Sequence, residues 1–158
     1  MSCGQVPKKM AVDYLTGRYI GSVELIYQQS LLNIGLKDQK ELKECDAMVF
    51  SSNEKPTITV YKKKPSGDSF PPLTIDISAI KPLPDGSTFN IPEQQMNTTI
   101  GSVMIGGSGG VTDSDGNKKD GIVTTKYLTF SYSGSVQISI KGDTVSLPFT
   151  VFYNLEKQ

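Results

Sequence analysis

From Leu128 to Ile140 the even positions read Leu128, Phe130, Tyr132, Gly134, Val136, Ile138 and Ile140. The odd positions between them read Thr129, Ser131, Ser133, Ser135, Gln137 and Ser139. An alternation of period two predicts a β-strand with the even residues buried and the odd ones wet. After Lys141-Gly142-Asp143-Thr144 the apolar set resumes at Val145, Leu147, Phe149, Val151 and Tyr153. Taking Gly142-Asp143 as a two-residue loop predicts a primed hairpin turn. It pairs Ile140 with Val145, Ile138 with Leu147 and Val136 with Phe149, all on one face. The first arm, at roughly 3.3 Å per residue, is about 43 Å long. That is too long for one straight strand of a small sheet, so it bends, at Gly134, with the Cβ position turned inward beside Val151. Long bent strands that close on themselves predict a barrel or a strongly coiled sandwich.

The same pattern, weaker, runs upstream. Residues 17–28 set Tyr19, Gly21, Val23, Leu25 and Tyr27 against Arg18, Ser22, Glu24 and Gln28, with Ile20 and Ile26 on the polar side. Residues 31–44 change character. Asp38 there suits the cap of a short helix containing Lys40, Glu41 and Leu42, an excursion over one end of the sheet. Further strands are expected at 46–50, 57–62, 73–77, 88–91 and 98–105, punctuated by Pro and Gly turns. Residues 106–121 form a glycine- and aspartate-rich connection. With the two long arms this makes eight strands, and the fold class is all-β. We expect an antiparallel eight-stranded β-barrel, the alternative being a β-sandwich. Eight strands enclose either packed side chains or one small ligand. Residues 1–12 read as an N-terminal tether and 13–158 as a single domain.

Sixteen basic and sixteen acidic residues cancel, so nothing steers the whole molecule toward nucleic acid or an anionic membrane surface. Lys62-Lys63-Lys64 and Lys118-Lys119 read as solvated turn ends that blunt strand edges. The chain has no His, which removes Ser–His and Cys–His nucleophile activation and the commonest transition-metal ligand. Its two cysteines, Cys3 and Cys45, do not make a disulfide framework. Cys45 stands between Glu44 and Asp46, neighbours that quieten a thiol as a nucleophile. Gly106-Gly107-Ser108-Gly109-Gly110 leads into Val111-Thr112-Asp113, without the Lys that phosphate loops usually carry, and reads as a flexible connection. Asp113, Asp115 and Asn117 place oxygens at alternate positions, as a hard cation prefers. The EF-hand pattern wants Gly where Lys118 stands and Glu where Thr124 stands, so the stretch reads as turn chemistry. No cofactor and no enzymatic activity is expected. The recurrent feature of the inferred inner face is tyrosine: Tyr19, Tyr27, Tyr132 and Tyr153. Buried rings of this kind want a partner for each hydroxyl, and a ligand cavity with a few polar handles supplies one. Barrel-end positions with the hydroxyls in water are the alternative.

Two stretches then carry a resemblance. Leu15-Thr16-Gly17-Arg18-Tyr19-Ile20-Gly21-Ser22-Val23-Glu24-Leu25 and Tyr127-Leu128-Thr129-Phe130-Ser131-Tyr132-Ser133-Gly134-Ser135-Val136 resemble the opening and closing strands of the calycin-like (lipocalin-like) β-barrel lipoproteins of Bacteroidetes. Leu73-Thr74-Ile75-Asp76-Ile77 and Phe89-Asn90-Ile91-Pro92 fit the same layout. Lipocalins proper have a Trp in a Gly-x-Trp element, where this chain has Tyr19 after Gly17-Arg18. The resemblance implies a cell-envelope protein without catalytic residues that binds a small apolar or amphipathic ligand. It also implies that Ser2-Cys3-Gly4 is the remnant of a lipoprotein signal, with Cys3 lipidated and the membrane reached through that anchor only. The alternative for the N-terminus is an ordinary cytosolic start. For function the alternative is a protein-interaction or assembly module with a packed barrel, its partner unknown.

Overall fold

The long hairpin is the spine of the fold. In the computed structural model, which describes residues 16–32, 35, 37–50, 56–62, 73–78, 81–83, 86–98 and 101–158, its arms are β12 (Tyr127–Ile140) and β13 (Asp143–Lys157). The turn is Lys141-Gly142, one residue earlier than the sequence suggested. Both residues have positive φ, 51° and 85°, which is what a two-residue type I′ turn requires. The register therefore shifts by two: Ile140 faces Asp143, Ile138 faces Val145, Val136 faces Leu147 and Gly134 faces Phe149. A shift of two leaves every side chain on its expected face, so burial alone did not distinguish the registers.

The remaining strands are β1 (Gly17–Tyr27), β2 (Gln39–Phe50), β3 (Thr57–Lys62), β4 (Leu73–Asp76) and β5 (Lys81–Leu83). Then come β6 (Gly86–Phe89), β7 (Gln94–Thr98), β8 (Gly101–Gly107), β9 (Val111–Thr112), β10 (Lys118–Lys119) and β11 (Gly121–Val123). Eleven of them form one antiparallel sheet in the order β4-β3-β2-β1-β13-β12-β11-β6-β5, with β8 also on β12 and β7 on β8. β9 and β10 make a separate two-stranded ribbon. The helix expected around Lys40, Glu41 and Leu42 is not there. Those residues lie in β2, which pairs with β1 along one edge and β3 along the other. β3 reaches only Cys45–Phe50, so Lys40, Glu41 and Leu42 are laddered to β1 alone, and this tertiary pairing overrides a weak local helix preference. The only helical turn among the described residues is a 3-10 turn at Gln29–Leu32.

β8 and β11 lie on the same edge of β12. Ile105, Gly106 and Gly107 stand opposite Gly134, Ser133 and Tyr132, and Gly121, Ile122 and Val123 stand opposite Phe130, Thr129 and Leu128. Only Ser131 is left between them. Its N–H donates to the Asp120 carbonyl at 2.9 Å, and its carbonyl accepts from the Ser108 N–H at 3.4 Å. Residues 108–120 thus leave the sheet and return to it at one position, as an outsized bulge.

This excursion corrects two expectations. Ser131 belongs to the odd set, but it is 1% exposed because residues 108–110 fold back over it. Ser108 Oγ donates to Ser131 Oγ at 2.6 Å, and a Cβ on Gly110 would come within 3.3 Å of the Ser131 Cβ. The glycine run is a packed strap on the outer wall, tight at Gly107 and Gly110, while Gly109 takes a positive φ of 66°.

Gly134 carries a similar constraint. A Cβ there would lie 2.6 Å from the Met104 carbonyl oxygen and 3.0 Å from the Phe149 ring, so its crowding partners are β8 and Phe149, in place of Val151. Gly134→Val should lower stability by about 1–3 kcal/mol. Ser135→Val, at an exposed position, should stay within about 0.5 kcal/mol. Urea midpoints of the two variants check both figures.

Candidate functional site

The core face of the sheet changes character along the strands. At the end where β1 begins and β13 finishes, Tyr19, Leu128, Phe130, Tyr153 and Leu155 are fully buried. The Phe130 and Tyr153 rings stack at 4.3 Å with 14° between their planes, and Phe89 tilts against Phe130 at 6.5 Å. Tyr132 and Tyr153 join their hydroxyls at 3.0 Å. Tyr19 donates its hydroxyl hydrogen to the Thr124 carbonyl at 3.3 Å, and the Lys157 ammonium sits 6.0 Å from the centre of the Tyr19 ring. Three of the four tyrosines singled out in the sequence therefore belong to one packed aromatic floor. Each hydroxyl of the three has a partner within the protein.

Toward the β12–β13 turn the same face opens. Val136, Leu147, Phe149 and Val103 keep 6–9% of their surface exposed, and Leu25, Tyr27, Leu73 and Ile138 are only half-buried against the core. Tyr27, the fourth tyrosine, is here, opposite Phe149. Leu32 of the 3-10 turn packs against this end, and the Gln28 N–H donates to the Pro148 carbonyl at 2.9 Å. Ser30 closes the connection behind it: its amide and hydroxyl both donate to Asp38 Oδ1, at 2.9 and 2.6 Å. The Ser30 hydroxyl, then its amide, hold the Asp38 carboxyl below its usual value. Asp38 thus fastens this turn and caps no helix.

Asp120, which the sequence did not single out, ties the excursion to the wall. Oδ2 accepts the Ile91 N–H and Oδ1 the Gly109 N–H, both at 2.8 Å, while its own N–H donates to the Phe89 carbonyl at 3.2 Å. A Cβ on Gly107 would overlap this carboxylate. The sequence signal was the glycine pairs on either side of Ser108, which mark close backbone approach as well as freedom. At the tip of the excursion, Asp113 Oδ1 accepts from the amides of Asp115 and Asn117 at 2.9 and 2.8 Å. This is an Asx-type turn, and its acceptor oxygen serves the backbone. No group of three or more His, Cys, Asp or Glu residues suited to a metal occurs among the described residues. Lys118 and Lys119 are paired with Thr112 and Val111 in the ribbon. Cys45 lies mid-strand in β2, opposite Gly21 and Lys62, and Cys3 lies outside the described residues.

The chain matches no family model, and searches of curated proteins and of solved structures find no match.

Burial pushes the Tyr19 hydroxyl up to about 12, from 10. A raised pKa means stability that is complete below pH 10 and lost as pH rises through about 12. Tyr19→Phe should therefore show a shallower loss of stability between pH 10 and 12 than the parent chain. Chemical denaturation at stepped pH checks this.

Proposed function

We propose that the sheet closes into an eight-membered antiparallel barrel and that the protein is a non-enzymatic binding protein whose open end receives a small apolar or amphipathic molecule. Closure is supported first by the seam between β4 and β7. The Gln94 side chain accepts from the Asp76 N–H at 2.8 Å and donates to the Asp76 carbonyl at 2.9 Å, as a neighbouring strand would. Beside it, Ser78 N donates to the Asn90 carbonyl at 2.8 Å and Asn90 N donates to Ser78 Oγ at 2.8 Å. With β6–β7 and β8–β11 counted as broken single strands, and β5 as the continuation of β4, the circuit has eight members.

The registers support the same reading. Stepping across the ladders from Tyr27 leads through Phe149, Gly134, Ile105 and Gln94, and the Gln94 side chain then reaches the Asp76 backbone, from which the ladders continue through Thr57 and Phe50 on β3 and β2. Every strand of the proposed circuit is thus joined to its neighbours, one junction being made through side chains. This layout is the one that the resemblance to calycin-like lipoproteins implies. On that reading a lipid on Cys3 would hold the domain in the cell envelope.

The observation that carries the binding function is the gradient of exposure on the core face, from a sealed aromatic floor to the half-buried Leu25, Tyr27, Leu73 and Ile138. An apolar concavity with one phenol at its rim suits a ligand with a substantial apolar part. The paired hydroxyls of Tyr132 and Tyr153 favour a second reading, a barrel packed solid that acts through its outer surface. N-phenyl-1-naphthylamine, a neutral probe that fluoresces in apolar sites, separates the two. The first reading expects saturable binding that weakens at least tenfold in Ile138→Glu and is unchanged in Ser139→Glu. Absence of saturable binding, or equal effects of the two changes, favours the packed barrel.

A further inference from the structure

The tip of the long hairpin extends past its neighbours. β8 follows β12 as far as Gly134, opposite Ile105, and β1 follows β13 as far as Phe149, opposite Tyr27. From Ser135 to Ile140, β12 pairs with β13 alone among the described strands. Around a two-residue turn the flanking residues, Ile140 and Asp143, exchange both hydrogen bonds, and the direction then alternates along the strand. Even residues of β12 thus bond to β13, and odd residues turn their N–H and C=O to the opposite edge. Ser131 follows this rule, with its N–H on the Asp120 carbonyl and its carbonyl on the Ser108 N–H. By the same parity Gln137 and Ser139 present their backbone donors and acceptors to an edge that no described strand covers.

Exposed edges are ordinarily blunted by Lys, Pro or a bulge. The far edge of β13 has such a feature in Pro148, whose carbonyl also takes the Gln28 N–H. The β12 edge has none: Leu128 to Ile140 contains no charge and no Pro. Where β8 leaves it, Met104 is 55% exposed, the most exposed large apolar side chain among the described residues. We infer that this edge pairs antiparallel with the same edge of a second copy of the chain, about a two-fold axis at Ile138.

In that register Gln137 of each copy exchanges hydrogen bonds with Ser139 of the other, so the donors and acceptors of both residues are used. On the core side Ile138 meets its own copy and Val136 meets Ile140, β-branched pairs that suit close cross-strand contact. A strand without charge offers a charged partner nothing to pair with, but meets its own copy without repulsion. The two Lys141 residues stand at opposite ends of the pairing, about 20 Å apart at roughly 3.3 Å per residue. The Lys141-Gly142 turn of the second copy arrives beside Met104. The paired stretch, 136–140, is far shorter than the roughly 20–30 residues a side of a standard interface. The dimer is therefore weak, with a dissociation constant on the order of 100 μM. It is independent of the binding reading above.

Sedimentation equilibrium of the full chain, from about 10 μM to about 1 mM, tests this. The average mass should rise from that of one chain toward that of two. Gln137→Pro removes an amide hydrogen that faces the second copy and leaves the β13 ladder intact, and it should weaken dimerisation at least tenfold. Ser146→Pro is the matched control. Ser146 stands opposite Gln137, its amide faces the far edge of β13, and the change loses the same 2.6 Å bond from the Gln137 side-chain amide to the Ser146 hydroxyl. This variant should dimerise as the parent chain does. Without either Pro change, Ile138→Cys in a Cys3→Ser/Cys45→Ser background should form a disulfide-linked dimer with oxidised glutathione, because the axis sets position 138 against itself. A chain that stays monomeric overturns the inference and leaves the edge to an extended segment of another protein. Equal weakening by the two Pro changes, no cross-link at position 138, or an open series of larger species overturns it as well.

Discussion

Replacing Phe130 by alanine should lower the unfolding free energy by about 4 kcal/mol, read as a displaced urea midpoint at unchanged slope. Phe130 is fully buried, stacked at 4.3 Å on Tyr153 and tilted against Phe89 at 6.5 Å. Truncation removes most of a ring from a site whose walls are strands laddered on both sides. Phe130 faces Tyr153 on β13 and Gly121 on β11, so the surrounding backbone has little freedom to collapse into the space. The cost should therefore include a cavity contribution as well as lost transfer energy. A loss below about 1.5 kcal/mol would mean that the aromatic floor is loosely packed.

The second large effect is expected at Gly21. A Cβ there would overlap the Asn154 carbonyl oxygen and lie 2.8 Å from the Leu155 Cα. These are backbone atoms of the neighbouring strand, so no rotamer change relieves the contact. Gly21 stands opposite Leu155 on β13 and Cys45 on β2, in the middle of three laddered strands. Gly21→Val should cost about 3 kcal/mol, at the upper end of ordinary overpacking, because relief requires β1 to move away from β13. At Gly134 the second contact is a Phe149 ring that can turn slightly, so the loss should be smaller. Midpoints for Gly21→Val and Gly134→Val, measured together, rank the two; the opposite order would place the closest backbone approach at β8 and β12.

Much of this architecture was legible in the sequence where one face is apolar and the other polar. β12 and β13 announced themselves because Leu128, Phe130, Val151 and Tyr153 fall on strict alternation, and β1 did so less sharply through Tyr19 and Val23. β2 did not, and the reason is physical. Its first half, Gln39-Lys40-Glu41-Leu42-Lys43-Glu44, carries one apolar residue, so no period-two signal marks it, and only pairing with β1 makes it a strand.

Strand breaks were hidden for a different reason. β8 and β11 act as one neighbour of β12, but thirteen residues intervene at Ser131. Nothing in the local pattern says that both ends of that excursion return to a single serine. The aromatic floor was half visible: Tyr19, Tyr132 and Tyr153 were found by parity. Whether their hydroxyls faced a ligand or one another depended on cross-strand geometry.

The absence of tryptophan gives the central claim a clean test. Tyr27→Trp places a single indole at the half-buried mouth, and Tyr127→Trp places one on the outer wall, where Tyr127 is 40% exposed. Titration of each variant with dodecanoate should give a saturable emission shift with one-to-one stoichiometry in Tyr27→Trp and none in Tyr127→Trp. No shift at Tyr27→Trp, or equal shifts in both, would contradict the proposed binding site at the half-buried end of the core face.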